Sequence, residues 1–247
     1  MKTNIISILA IISLLLSNEI IAQDAKTILE KVDENMFTQT KITESTMIVY
    51  GKRRDRQFTS ITYNRGEQES YSEYLSPARE KGTKMLKLED KLWVYSPSSD
   101  RIIQMSGHML RQSMMGSDIS YEDMMQEKKL LESYEAKILR EEQFEGRATW
   151  LLELKAVKED VSYAKMHIWV DQEYFVPLKE ELFAKSGTKL KSLHFSKVEK
   201  VGNRYFPMHM NYKDVLKEGK GTDLIVNKLQ CDVDIPEHVF NKANLRK

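Results

Sequence analysis

Apolar and polar residues alternate with a period of two along most of this chain, and in two places the period lengthens to that of a helix. The first such place follows Asp24, where Ala25, Ile28, Leu29, Val32 and Met36 fall on one face. That spacing predicts a helix with Asp24 as its N-cap and an apolar stripe that needs a sheet to cover. From Thr43 onward the pattern is that of strands, with Met47 and Val49 alternating against Thr46, Ile48 and Tyr50. At the far end Leu229, Cys231, Val233 and Ile235 alternate with Gln230, Asp232 and Asp234. Many outward positions hold Thr, Ser, Tyr or Gln, as expected for antiparallel strands wet on one face. Short turns such as Arg65-Gly66, Glu145-Gly146 and Gly202-Asn203 join the segments. Together they predict about ten or eleven strands in antiparallel order. The run Leu92-Trp93-Val94-Tyr95 is apolar on both faces, so a cover is expected on each side of it.

The second helical place lies within residues 101–126, which hold Met105, Met109, Met114, Met115, Met124 and Met125, half of the methionines left once the initiator is set aside. Met109, Leu110, Met114 and Met115 share a helical face that Gly116 would end. Ser120-Tyr121-Glu122-Asp123 has the form of a second helix start, with its acidic residues where the helix dipole favours them. Tyr121, Met124 and Met125 then form a short second apolar face. The expectation is the end of a strand followed by two short helices, hinged at Gly116, Ser117 and Asp118, that cover an apolar cavity. A methionine stripe alone more often fills a core, roughly two to one. Methionine nevertheless repacks around chains of varied shape, which suits a promiscuous apolar ligand. Trp93, Tyr95, Trp150, Trp169 and Phe183 are further candidate cavity walls, although strand parity leaves open which face each takes.

Composition removes several functions from consideration. Residues 1–22 open with one lysine, an uncharged run of 12 residues and a small residue, Ala22, the layout of a cleaved signal peptide. That run is too short to cross about 30 Å of hydrocarbon as a helix. Residues 23–247 then read as a single exported domain. Lys and Arg number 38 against 37 Asp and Glu, so no field draws nucleic acid. Cys231 is the only cysteine, which leaves neither an internal disulfide nor a thiolate zinc site. The five histidines are scattered, and no hydrolase, phosphate-loop or dinucleotide motif occurs. Neither catalytic residues, nor a metal, nor a cofactor are expected. Glu180 and Glu181 project to opposite faces of a strand and make a poor catalytic pair.

Several segments resemble a known family. They are Leu75-Ser76-Pro77-Ala78-Arg79, Lys81-Gly82-Thr83, Leu92-Trp93-Val94-Tyr95-Ser96-Pro97 and, above all, Met115-Gly116-Ser117-Asp118-Ile119-Ser120-Tyr121-Glu122-Asp123. Asp171 with Pro177-Leu178, Gly187, Val201-Gly202-Asn203-Arg204-Tyr205-Phe206-Pro207 and Phe240-Asn241-Lys242-Ala243-Asn244-Leu245 fit as well. These resemble the outer-membrane lipoprotein-sorting proteins, the LolA-like group of the LolA/LolB superfamily, over essentially the whole chain after residue 22. The resemblance implies a mainly β fold with an α cover: an unclosed (half) antiparallel β-barrel of about eleven strands with helices plugging the concave side. It also implies a periplasmic carrier or chaperone that binds acyl chains of lipoproteins or lipids, loaded by an inner-membrane transporter and relieved by an outer-membrane acceptor. A monomer is expected. In the family a basic strand residue helps hold the lid, a role for which Arg101 and Arg111 are the candidates. The alternative reading is a lipid-sensing or envelope scaffold protein that offers the same concave surface to a protein partner.

Overall fold

The protein is described by a computed structural model covering residues 24–125, 129–159 and 161–247. The expected signal peptide at residues 1–22, and Gln126 at the end of the methionine stretch, lie outside the described residues. No helix among the described residues is long and apolar enough to cross a membrane.

The expected N-terminal helix is present. Helix α1 (Ala25–Met36) has Asp24 as its N-cap, the carboxylate accepting the Lys26 N–H at 3.3 Å, and it buries Ala25, Ile28, Leu29, Val32 and Asp33. The chain then runs through β1 (Thr40–Val49), β2 (Arg56–Arg65), β3 (Glu69–Ser76), β4 (Lys84–Leu88), β5 (Lys91–Ser96) and β6 (Arg101–Met105). After an irregular segment it continues as β7 (Tyr134–Phe144), β8 (Arg147–Ala156), β9 (Lys165–Asp171), β10 (Pro177–Phe183), β11 (Lys189–Val201), β12 (Arg204–Asp214) and β13 (Thr222–Cys231). Thirteen strands exceed the count of about eleven because the short runs at 84–88, 92–95 and 101–105, and every run of the second half, each form a strand of their own.

All thirteen belong to one antiparallel sheet in the order β6-β5-β4-β3-β2-β1-β13-β12-β11-β10-β9-β8-β7. Two meanders, one from each half of the chain, are thus stitched together where β1 pairs with β13. The sheet is not closed into a barrel: β6 and β7 are its two edges. The segment at residues 106–133 therefore connects one free edge to the other. Its described parts bring Met114, Ile119, Met125 and Leu130 against the hollow of the sheet, and this stretch is referred to below as the lid.

Three apolar clusters hold this arrangement. The largest packs α1 against the concave face of the second meander, around Ile28, Leu29, Leu152, Leu154, Ile168 and Val170. The second lies between the lid and the first meander, around Met47, Phe58, Tyr74, Leu92, Met105 and Met114. The third is on the convex side, where Ile235, Phe240 and Leu245 of the C-terminal tail cover Tyr71, Leu86 and Trp93. That tail forms two 3-10 turns (Glu237–Phe240 and Lys242–Arg246), where one helical turn around Val239 and Phe240 is what its sequence predicts.

Leu92 meets the lid while Trp93 meets the tail. The strand that is apolar on both faces is indeed covered on both. The expectation that hydroxyl positions face outward holds at Thr46 and Thr59 but not at Thr43, Ser45, Ser60, Thr62, Ser70 and Ser72, which turn inward while the tail covers the convex side.

Candidate functional site

Between the concave face, α1 and the lid lies a cavity of about 370 Å³. Its walls differ in chemistry. The second meander contributes Leu182, Leu193, Phe195, Phe206, Met210, Leu224 and Val226. The first meander contributes the hydroxyls of Thr43, Ser45, Ser60, Thr62, Ser70 and Ser72 beside the apolar Met47, Tyr74, Met85 and Leu92. Alternation places these hydroxyls side by side on neighbouring strands, and they pair there: Ser45 with Ser60 at 3.1 Å and Thr62 with Ser72 at 2.9 Å. Each hydroxyl has two acceptor lone pairs and one donor, so such pairs still leave capacity for a ligand.

Of the two short helices expected from the methionine spacing, the second is an α-helix and the first is replaced by 3-10 turns. The lid comprises a 3-10 turn (Gly107–Arg111), a second one (Met114–Gly116) and helix α2 (Tyr121–Met125). The backbone donors are spent on closing a loop instead. The Met114 N–H donates to the Ile119 carbonyl at 2.8 Å, the Tyr121 N–H to the Gln112 carbonyl at 3.2 Å, and Ser113 pairs with Ser120. Met115 and Gly116 both take positive φ to turn the chain inside that loop. At Gly116 the positive φ favours glycine, while the nearest atom to an added Cβ is the mobile end of the exposed Arg56 side chain.

The lid is tied to the sheet by polar contacts as well as by its methionines. The Asp118 carboxylate accepts the Thr222 hydroxyl at 3.0 Å and the Asp214 N–H at 2.9 Å, while Ser117 is fully buried. Lys217 donates to the Ser117 carbonyl at 2.8 Å and Lys87 to the Met125 carbonyl at 3.1 Å. Gly116 ends the second turn, and Ser117 and Asp118 follow it on the way to α2, fastened to the β12–β13 end of the sheet. Asp123 of α2 binds Lys191 of β11 and accepts the Tyr163 hydroxyl at 2.5 Å and the Ser120 N–H at 2.6 Å. Burial alone would raise the Asp123 carboxyl, but the Lys191 charge and these hydrogen bonds outweigh it and hold the group below the usual carboxylate range. Arg101 and Arg111 are exposed, and the cations that contact the lid include Lys191, Lys87 and Lys217.

Two further carboxyls line the cavity. Asp33 of α1 accepts the N–H groups of Leu130 and Leu131 at 2.9 and 3.1 Å, and burial still pushes it up to about 6. Glu180 of β10 is pushed up to about 7 by burial. It keeps some accessible surface, but protein surrounds it, so that surface is cavity wall. Glu181, on the opposite face, pairs with Lys179 and Lys189.

Of the residues singled out from sequence, Met114, Met124 and Met125 line the cavity. Met105, Met109, Leu110, Met115 and Tyr121 belong to the apolar cluster beneath the lid without reaching the cavity wall. The aromatic candidates lie elsewhere. Trp93 and Tyr95 are on the convex side with the tail. Trp150 is on the concave face, but the Phe175 ring packs against it, tilted, at 5.4 Å at the α1 end. Trp169 shares the convex face with Lys179, which lies 4.3 Å over its ring, and donates to Glu142 at 2.6 Å. Phe183 meets His167 edge-on at 5.0 Å, outside the cavity lining. Aromatic size drew attention to these four strands, whereas parity and the position of the tail decide which face is hollow. Glu180, Asp33, Lys191 and the hydroxyl wall were not anticipated. Glu180 carried a readable signal: it shares strand parity with Leu182, a charge on an otherwise apolar face.

No curated protein matches the chain. Solved structures do. A LolA superfamily protein from Nitrosomonas europaea is 26% identical, with a TM-score of 0.75 over 90% of this chain and 100% of that one. A Vibrio parahaemolyticus domain, whose name proposes outer-membrane lipoprotein sorting, is 22% identical, with a TM-score of 0.76 over 91% of this chain and 100% of that one. A DUF1329 family protein from Desulfovibrio piger is 23% identical, with a TM-score of 0.79 over 90% of this chain and 99% of that one. A family model described as "Uncharacterized protein" matches residues 66–247. The chain belongs to the family of that model, and its fold is the open barrel of the LolA superfamily.

Proposed function

We propose that this protein is a periplasmic carrier or chaperone, exported by a cleaved signal peptide, that sequesters the acyl chains of lipoproteins or lipids during outer-membrane sorting. Residues 23–247 act as one domain and one monomer, loaded from an inner-membrane transporter and emptied into an outer-membrane acceptor. Binding is reversible and involves no bond chemistry, so the protein is not an enzyme. The observation that carries this reading is the hollow itself: a 370 Å³ space, apolar along one wall and stoppered by methionines on a short lid. That volume lies within the roughly 300–1,000 Å³ of small-molecule sites. Each buried acyl methylene contributes about 0.8 kcal/mol, so ten supply about 8 kcal/mol without any polar contact. A packed interior beside an open apolar groove would favour the scaffold reading, and the hollow supports the carrier.

The test is titration of a fluorescent 16-carbon fatty acid into the protein lacking residues 1–22. Saturable binding that Met114→Asp with Met125→Asp abolishes, at unchanged circular dichroism, supports the carrier. No saturable binding by the intact protein sinks it.

A further inference from the structure

The three carboxyls of the cavity wall differ in what holds them. Asp33 has two backbone N–H donors, and Asp123 has Lys191, Tyr163 and Ser120. Glu180 has no hydrogen-bond or ion-pair partner among the described residues. Its cross-strand neighbours are apolar, Leu193 on β11 and Ile168 on β9. On the same cavity wall the Glu180 charge is felt by Tyr134 of β7, whose hydroxyl donates to the Tyr163 carbonyl. A carboxyl enclosed in apolar surroundings costs stability in its charged form and donates to nothing as an acid here. Glutamine or leucine would fill the same volume without that cost. An unanswered acid aimed into a binding cavity is accounted for by a partner that arrives with the ligand.

We propose that Glu180 is the polar anchor of the cavity and that its ligand is an amphiphile with an alkyl chain and an amine. The chain lies along Leu182, Leu193 and Phe195, and the ammonium donates to the Glu180 carboxylate. An amine is favoured over a neutral donor because a hydrogen bond between two charged groups is about twice as strong as a neutral one. The proposal rests on the carrier reading and adds the head-group chemistry of the cargo. Protonation governs it: the amine stays charged up to about pH 10, as lysine does, while Glu180 goes from mostly neutral to mostly ionised between pH 6 and 8, about a tenfold change in the carboxylate fraction. The other charged groups on the cavity wall are Asp33 of α1, Asp123 of α2, Lys191 of β11, Lys129 before β7, and Lys41 and Lys87 of the first meander. Asp33 also titrates near this window, so its own variant is needed as a control.

The experiment is calorimetric titration of dodecylamine and of dodecanol into the protein lacking residues 1–22, at pH 6 and pH 8. The ratio of amine affinity to alcohol affinity should rise up to about tenfold between the two. In Glu180→Gln that ratio should stay flat while dodecanol still binds, which also shows that the variant is folded. Asp33→Asn should keep the rise. A rise that persists in Glu180→Gln, or equal affinities for the two probes at pH 8 in the intact protein, overturns the anchor and leaves the carrier reading standing. Failure of both probes to bind at either pH overturns both.

Discussion

Replacing Lys191 with methionine removes the cation that Asp123 grips on the lid. Helix α2 has five residues, far below the length at which a helix holds itself together in water, so its position depends on its contacts with the sheet. Taking one partner from a largely buried ion pair costs about 3–5 kcal/mol. Asp123 keeps the Tyr163 hydroxyl at 2.5 Å and the Ser120 N–H at 2.6 Å, which places the loss near the lower end. About 3 kcal/mol corresponds to roughly a hundredfold shift toward the open lid. Hydrogen exchange reads this directly. The Met114 and Ser117 amides, which bond inside the lid loop, should exchange roughly a hundredfold faster, while amides of β8 and β9 keep their rates. Association with a fatty acid should speed up in parallel. The sign of the pH dependence follows from the depressed Asp123 carboxyl: the contact is intact above the unfolded carboxylate value, about 3.9, and is lost as pH falls through the lower folded value. Unchanged lid protection in Lys191→Met, with the loss spread evenly over the sheet, would show that Lys191 braces the fold and does not latch the lid.

Other substitutions test separate parts of the account. Asp118→Ala leaves the Thr222 hydroxyl and the Asp214 N–H without an acceptor in a buried place, so it should cost about 2–4 kcal/mol in urea unfolding; a loss under 1 kcal/mol would contradict the fastening. Met125→Asp puts a charge on the cavity wall and should abolish fatty-acid binding, whereas Met115→Asp, off the wall, should leave binding within a few fold. Glu180 has a raised folded value, so its contribution to stability is full below about pH 4 and declines as pH rises through about 7. Relative to Glu180→Gln, the intact protein should lose on the order of 3 kcal/mol between pH 4 and pH 8 in the absence of ligand; parallel stability curves would refute the burial of that acid.

The parts of this fold that sequence reveals are those in which one face of an element decides everything. Helix α1 needed only its apolar stripe and Asp24, and the strands needed only their alternation. Leu92 and Trp93 announced a cover on both faces, and both covers exist. What alternation cannot assign is which of two faces is concave. In β1–β3 the C-terminal tail, far away in sequence, claims the convex side, so Ser45, Ser60 and Ser72 point inward and Tyr63 and Tyr71 outward. The large aromatics Trp93 and Trp169 were misleading for the same reason. The lid's helical spacing was real at Tyr121, Met124 and Met125, yet between Gln112 and Tyr121 loop closure took the backbone donors before a helix could. The contact of Lys191 with Asp123 joins residues from opposite halves of the chain, and no local pattern foretells it. Glu180 is visible in the sequence as a charge in step with Leu182 on the same strand.

The central claim is that the hollow under the lid holds alkyl chains. Native mass spectrometry of the protein, isolated without detergent from its own cells and followed by organic extraction, measures this directly. The account predicts adducts with the mass of one lipid or lipoprotein acyl moiety, released on extraction and absent from the Met114→Asp, Met125→Asp double variant. A protein that carries no adduct, and gains none after incubation with a 16-carbon fatty acid, would contradict it.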